Sequence, residues 1–180
     1  SGLGGFMAGS VASATVAHVT RPVVLVRADQ TPADERVPDG EGRPSAREPY
    51  REVVVGVDTG HPCEEVLEFA FESAALRNAP LRVVHAWHLP DDADAAAREA
   101  AGEALAALVR PWREKFPAVP VRELTENGRP AQVLLRATAE AGLLVVGRRT
   151  RPSRLGAHTG PVAHAVMHHV HCPVAVVPHG

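Results

Sequence analysis

The sequence contains few of the residues that mark specialised structures. Its two cysteines, Cys63 and Cys172, lie far apart, so neither a disulfide framework nor a zinc site is predicted. Lysine occurs once, at Lys115, and the formal net charge is −2, which is not the basic balance of a nucleic-acid binder. No apolar run approaches the roughly 20 residues that span a bilayer, and the start does not resemble a signal peptide. We therefore expect a cytoplasmic protein that binds neither nucleic acid nor membrane.

One segment of the chain occurs twice. Residues 9–26 read GSVASATVAHVTRPVVLV and residues 160–177 read GPVAHAVMHHVHCPVAVV, with nine of the eighteen positions identical. Such self-similarity indicates internal duplication. Each copy has the pattern of a helix stopped by proline and followed by a short apolar strand. The simplest interpretation is that the chain begins inside a domain, so that residues 1–27 are the last helix and strand of a truncated first repeat.

The rest of the chain divides into a linker and one complete domain. Residues 28–49 are rich in Pro, Gly, Asp, Glu and Arg and have almost no large apolar side chains. Such a segment buries too little surface to offset its ordering entropy, which predicts a flexible linker. The complete domain is expected to cover residues 50–180.

Within that domain, apolar strand patterns alternate with amphipathic helix patterns. We predict strands at 53–55, 81–87, 119–124, 143–146 and 174–177, and helices at 63–77, 91–116 and 130–141 and before the last strand. The inward side of the first of these helices is predicted to carry Val66, Leu67, Ala70, Ala74 and Leu76. This alternation is typical of an α/β fold with an open, parallel, five-stranded sheet and helices on both faces.

Two polar connections follow predicted strands, at Asp58 and in a predicted loop from Gly147 to Thr159. In open α/β sheets, ligands bind at the carboxyl ends of the strands, near the point where the strand order reverses. The two connections therefore suggest a nucleotide site.

Five short motifs carry a family resemblance. They are VGVD ending at Asp58, VVHAW in the second strand, NGRPA at 127–131, LLVVG ending at Gly147, and HCPVAVV at 171–177. In this order they resemble the universal stress protein family, in the tandem-domain form common in actinobacteria. The resemblance covers essentially all of residues 50–180. It implies a Rossmann-like fold of the type that binds adenine nucleotides, with ATP and Mg²⁺ as the expected ligands.

Family members that bind ATP carry Gly-x-x-Gly, nine residues, and then Gly-Ser or Gly-Thr before the last helix. Here Gly147 and Gly160 keep the first and last glycine positions, whereas Thr150 replaces the middle glycine and Pro161, followed by Val162, replaces the hydroxyl residue. Proline suits the first turn of a helix but supplies no hydroxyl. Two interpretations of the loop arginines, among them Arg148 and Arg151, are open: they replace the lost phosphate contacts, or they are solvated.

The resemblance also implies contacts at the other end of a nucleotide. Asp58 matches the aspartate that holds the adenine or ribose end in family binders, and Ala86 and Val146 match backbone or apolar contacts to adenine. Each residue has a structural alternative. Asp58 can cap a helix or shape a turn, and the other two are ordinary strand residues.

Two functions from different classes remain open. The first is an adenine-nucleotide-binding regulatory module of the stress response, and the alternative is a dimeric interaction scaffold that does not bind nucleotide. Neither a Walker-type phosphate loop nor a nucleophile elbow is present, so we do not expect an enzyme. His164 and His168 are four residues apart, but convergent further ligands are lacking, and no metal site is expected. We expect a homodimer or a tandem pairing through the last strand, with residues 23–26 antiparallel to residues 174–177 of the same or another chain.

Overall fold

A computed structural model describes residues 10–87, 95–150 and 160–180. In chain order the elements are α1 (Ser10–His18), β1 (Val23–Leu25), β2 (Val53–Val57), α2 (Glu64–Arg77), β3 (Leu81–Trp87), α3 (Ala95–Lys115), β4 (Val121–Asn127), α4 (Pro130–Ala137), β5 (Leu143–Arg149), α5 (Pro161–His169) and β6 (Val174–His179). Across these described ranges, every helix is too short or too polar to cross a bilayer.

The strands form one six-stranded sheet in the order β1-β6-β5-β2-β3-β4. The five strands from β2 to β6 pair parallel with one another, which confirms the predicted α/β class. β1 adds a sixth, antiparallel strand that the predicted fold class does not include. The chain places β3 and β4 on one side of β2 and then β5 and β6 on the other, so the strand order reverses between β2 and β5.

Successive residues of each strand contribute to two separate apolar layers, because side chains alternate across a sheet. Val54, Leu144 and Val176 face a layer that includes residues of α1, α4 and α5. Val55 and Val145 face the opposite layer, formed with α2 and α3. Both faces of the central strands are therefore covered, which explains their nearly continuous apolar sequences.

Two sequence predictions differ from the structure near these layers. The predicted strand 143–146 extends to Arg149, so Gly147 and Arg148 belong to β5 and not to a loop. Pairing with β6 continues to Arg149 and His179, and it holds this polar stretch extended. Leu76 was predicted to face inward, yet its side chain is 86% exposed, because it lies on the outer face of α2, whose buried residues begin with Val66 and Leu67.

The helix–strand unit at the start of the described chain docks on the sheet edge. As predicted, β1 pairs antiparallel with the last strand, here that of the same chain, with Val23 opposite Val176 and Leu25 opposite Val174. Val16 of α1 is 1% exposed and belongs to the same layer as α5. Both edges of β6 are thus paired, one with β1 and the other with β5.

The segment predicted as a flexible linker, 28–49, folds back on itself through polar contacts. The Val37 amide donates to the Pro49 carbonyl at 2.9 Å, and the Arg36 guanidinium lies 3.8 Å from the centre of the Tyr50 ring. The Gln30 side chain donates to the His171 carbonyl beside β6. These contacts connect the two ends of the segment to each other and to the chain beside β6, and its flexibility stays a prediction.

Candidate functional site

A cavity of about 640 Å³ opens where the strand order reverses. This volume lies within the range of small-molecule sites, which is roughly 300–1,000 Å³. The wall combines the carboxyl ends of β2, β3 and β5 with residues of α2, α4, α5 and the end of β6. Lining residues are Gly56, Val57, Asp58, His61, Cys63, Val66, Val84, Ala86, Pro130, Leu134, Val146, Gly147, Arg148, Arg149, Gly160, Pro161, Val162, Ala163 and His179.

Most of the residues predicted for a nucleotide site lie on this wall. They are Asp58, Ala86, Val146, Gly147, Arg148, Gly160, Pro161 and Val162. Thr150 does not line the cavity; its hydroxyl donates to the His179 carbonyl at 3.0 Å and is 3.2 Å from the Gly180 carbonyl. It follows β5 directly, so pairing with the end of β6 directs it away. Arg151 lies outside the described residues.

Asp58 shapes the turn that follows β2. Its Oδ1 accepts a hydrogen bond from the Gly60 amide at 3.0 Å, and its Oδ2 lies 3.2 Å from Nδ1 of His61. Partial burial raises the pKa of Asp58, but the Gly60 and His61 hydrogen bonds and the charges of His61 and His85 outweigh it, so the pKa is lowered. Asp58 therefore has the turn-forming role that the sequence analysis gave as its structural alternative. Its carboxylate is also 59% exposed and charged on the cavity wall.

A buried histidine braces this turn from β3. Nδ1 of His85 lies 3.2 Å from the Val57 carbonyl, and Nε2 lies 3.1 Å from the Thr59 hydroxyl. A carbonyl can only accept, so in the neutral ring Nδ1 carries the proton and Nε2 accepts from Thr59. His85 is 8% exposed. Its two contacts fix the position of Asp58 without placing the imidazole on the cavity wall.

The opposite wall is the amino end of α5. Gly160 is the N-cap residue and has φ of 80°, a left-handed conformation that favours glycine. Pro161 occupies the first turn, where its missing N–H costs no hydrogen bond. The first amides of a helix have no acceptor within the helix. Val162 and Ala163 carry such amides at the cavity wall, which makes this end favourable for an anion.

Arg148 is the most unusual residue of the wall. Its side chain is 5% exposed, and Nη2 donates to the Val19 carbonyl just after α1. Its Nε is buried and has no hydrogen-bond acceptor in the described part of the chain. The ion pairs found among the described residues do not include it. A buried cation without a counter-charge is costly.

Gly147 makes room for the end of β6. A side-chain carbon at this position would lie 2.8 Å from Nε2 of His179 and 3.1 Å from a Val66 methyl, so substitution requires that His179 move. Burial lowers the pKa of His179, and Arg149 and Arg148 lower it further, against an opposing effect of Glu65. The Arg149 guanidinium also reaches 3.9 Å from Asp58. The cavity thus has a basic corner formed by strand residues.

The thiol of Cys63 lies on the wall but is not an activated nucleophile. Burial raises its pKa to about 11, with a further upward contribution from the Glu65 carboxylate, which lies 3.1 Å from Sγ. Activated cysteines have lowered pKa values. We therefore assign Cys63 a packing role at the N-cap of α2.

The described residues contain no cluster of three or more His, Cys, Asp or Glu side chains placed to hold a metal ion. The rings of His164 and His168 do lie together on α5, with centres 4.6 Å apart. Two imidazoles fall short of the three or four convergent ligands of a typical site.

Sequence reasoning missed several wall residues, chiefly His61, Cys63, Pro130, Leu134 and His179, whereas Arg149 was among the loop arginines considered for phosphate contacts. His61 and Pro130 lie in segments that the sequence already marks, the polar connection at Asp58 and the NGRPA motif. Their position in those motifs was a usable signal. His179 lacks such a signal, because its place beside Gly147 follows from the register of β5 and β6.

Comparison with known proteins gives a consistent result. Residues 49–178 match the model of the universal stress protein family. The universal stress protein Rv2005c of Mycobacterium tuberculosis is 33% identical over 174 residues, which cover 93% of this chain and 55% of that protein. The chain therefore spans about half the length of the curated relatives it matches.

Solved structures support the fold. The universal stress protein from Archaeoglobus fulgidus in complex with dAMP is 26% identical, with a TM-score of 0.56, covering 73% of this chain and 98% of that one. A universal stress protein in complex with cAMP is 24% identical, with a TM-score of 0.59, covering 74% and 100%; this likeness shows the fold alone. The matched residues, the fold and the motifs together show that this chain belongs to the universal stress protein family.

Proposed function

We propose that this chain is an adenine-nucleotide-binding regulatory module of the stress response, with ATP as its ligand. The observation that carries the proposal is Arg148, a residue on the wall of a nucleotide-sized cavity whose buried guanidinium has no ion-pair partner among the described residues. A phosphate supplies the missing negative charge and accepts from the free Nε–H. The first amides of α5 line the same cavity and favour the same charge.

The proposed orientation follows from the chemistry of the wall. Phosphates lie at Arg148 and the amino end of α5, where the positive charge is concentrated. The ribose hydroxyls donate to Asp58, whose lowered pKa keeps it ionised. The adenine ring packs against the apolar surface of Ala86 and Val146. The dAMP complex of the relative from Archaeoglobus fulgidus supports this class of ligand.

We further propose that the site binds nucleotide without hydrolysing it. In the proposed orientation Asp58 holds the ribose and not the phosphates, and its lowered pKa makes it a weak base. The phosphate oxygens would hold Mg²⁺ together with water, as is usual for this ion. Phosphate release from ATP at the rate of buffer alone is the expected result.

One observation favours the alternative, a scaffold that does not use nucleotide. The Thr150 hydroxyl bonds the carbonyls of His179 and Gly180, and Pro161 lines the cavity without a hydroxyl, so neither position of the family's phosphate motif offers a side-chain donor to a phosphate. In that case the cavity is a remnant and Arg148 serves α1 alone. The two functions are separated by a binding measurement.

Calorimetric titration with Mg-ATP and with adenosine tests the proposal, after removal of any co-purified nucleotide. Arg148→Gln is expected to lose at least about tenfold in ATP affinity, the equivalent of one charge-assisted hydrogen bond, and little in adenosine affinity. Asp58→Ala is expected to weaken both ligands. Arg122→Gln removes an exposed arginine of β4 that is not on the wall and is the matched control. Absence of ATP binding up to millimolar concentration would favour the scaffold.

We also propose that α1 and β1 are the last helix and strand of a first universal stress domain arranged in tandem with the second. The repeat between residues 9–26 and 160–177 and the greater length of the mycobacterial relatives support this origin. β1 then takes the place of a partner strand on β6. A homodimer through that edge of β6 requires displacement of β1, so we propose tandem pairing in its place.

A further inference from the structure

One side chain of β5 connects the cavity to the docked unit formed by α1 and β1. Arg148 lines the cavity, and its Nη2 donates to the Val19 carbonyl, 129 residues away in sequence. The Val19 amide in turn closes the last turn of α1, with the Thr15 carbonyl at 3.1 Å. Arg148 therefore holds the carboxyl end of α1, where the helix dipole favours a cation.

The same guanidinium has unused hydrogen-bonding capacity. Nε is buried without an acceptor in the described residues, although Nη2 is satisfied. A ligand that bonds Nε does not need to displace Val19, because separate N–H groups of the fork serve the two acceptors. An anion also compensates the positive charge of Arg148, which is buried while α1 is docked on the sheet.

We infer that Arg148 couples the cavity to the docking of α1 and β1, so that an anionic ligand bound at its free N–H strengthens the attachment of this unit to the edge of the sheet. This inference rests on the proposed function, because it takes the nucleotide phosphate as the anion. β1 covers one edge of β6. Occupancy of the cavity thereby controls whether that edge is open to another strand.

Coupling of this kind is reciprocal. If a bound nucleotide strengthens the attachment of α1 and β1, that attachment strengthens nucleotide binding by the same factor. Weakening the attachment of α1 from its own side is therefore expected to lower nucleotide affinity. Val16 is suited to this purpose, because it is 1% exposed, packs in the layer shared with α5 and does not line the cavity. His18 is the control on the same helix, because it is exposed and its ring bonds the Ala14 carbonyl within α1, with no further hydrogen bond to the described residues.

The experiment combines calorimetry with hydrogen–deuterium exchange on the full chain, using saturating Mg-ATP as the probe. In the wild type, ATP is expected to slow amide exchange in residues 10–25. Arg149→Gln removes a cation of the same cavity that pairs with Asp58 and, among the described residues, has no hydrogen bond or ion pair to α1, so it is expected to weaken binding yet keep this protection at saturation. Arg148→Lys and Arg148→Gln are expected to bind more weakly and to lose the protection. Val16→Ala is expected to lower ATP affinity by about fivefold, and His18→Ala to leave it unchanged.

The outcomes separate this inference from the proposed function. ATP binding without any change of exchange in residues 10–25 overturns the coupling and leaves the nucleotide function intact. Protection that persists in both Arg148 variants also overturns it, because another route then connects the two places. A failure of the wild type to bind ATP overturns both. Arg148→Lys keeps the charge, so it serves if Arg148→Gln does not fold.

Discussion

The two copies of the repeated helix–strand unit occupy different positions in the same sheet. α5 and β6 lie inside it, with β6 parallel to β5 and paired on both edges. α1 and β1 lie at its edge, with β1 antiparallel and paired on one side. The corresponding valines show the effect: Val177 is 2% exposed and Val26 is 55% exposed. A sequence pattern specifies a helix and a strand, whereas the neighbours decide how much of them is buried.

The two copies differ also in what they add to the cavity. α5 presents its amino end and β6 ends in His179, and both line the wall. The described residues of α1 and β1 are not on the wall, and the first unit approaches it through the Val19 carbonyl on Arg148. The second copy thus supplies candidate ligand contacts, while the first supplies a cover for the sheet edge and a partner for one cavity residue.

Of the changes that test the difference between the two copies, removal of the first copy should have the largest effect. Deleting residues 1–27 bares one edge of β6, and an uncovered apolar edge strand pairs with other chains. We expect dimers or aggregates in light scattering coupled to size-exclusion chromatography. Deleting residues 1–9 keeps α1 and β1 and is the control. A monomeric and equally soluble 28–180 fragment would show that β6 does not need its cover.

Equivalent substitutions in the two copies measure the difference in burial. Val177→Ala removes buried methyl groups, and we expect it to lower the free energy of unfolding by about 2 kcal/mol. Val26→Ala removes the same atoms from an exposed position, where changes are usually within about 0.5 kcal/mol. Urea denaturation of both variants checks this. Equal losses would mean that the edge unit is packed as tightly as the interior one.

At the start of α5, a residue of the first copy can be introduced into the second copy by a single substitution. The first copy reads Gly9-Ser10 where the second reads Gly160-Pro161. Pro161→Ser places a hydroxyl at the amino end of α5, and one added hydrogen bond to a phosphate is worth about 1 kcal/mol, or about fivefold in ATP affinity. Pro161→Ala removes the proline without adding a hydroxyl. If Pro161→Ala gains as much as Pro161→Ser in calorimetry, relief of the proline and not the hydroxyl is responsible.

Sequence reasoning predicted the fold from local signals and much of the wall from the motifs that carry the family resemblance. Apolar alternation gave the strands and helices, and Asp58 and Gly160 stand in motifs with recognisable spacing. The misses came from tertiary register. The sequence pattern predicts a loop at Arg148 and Thr150, yet pairing of β5 with β6 brings the Thr150 hydroxyl to the carbonyls of His179 and Gly180. The same extended pairing buries Arg148 beside α1. Spacing along the chain does not report such contacts.

His179 provides the smallest test, because it ends β6, whereas the corresponding position of the first copy is Ala28. Burial, with Arg149 and Arg148, lowers its pKa below the ordinary value of 6.5, although Glu65 on α2 opposes the shift. The unfolded chain then takes up a proton at higher pH than the folded chain. The free energy of unfolding should therefore decrease as pH falls from about 6.5 towards the folded pKa and level off below it.

The chain contains nine other histidines, so the informative quantity is the difference between the wild type and His179→Asn. We expect the variant to lose less stability between pH 7.5 and 5.5 in urea denaturation. Saturating ATP should reduce the difference, because a phosphate near the basic corner favours the protonated ring and raises its pKa. Equal pH dependence in both proteins would show that His179 is solvated in the folded state. A difference that ATP leaves unchanged would place the phosphates away from β6, at the amino end of α5 alone.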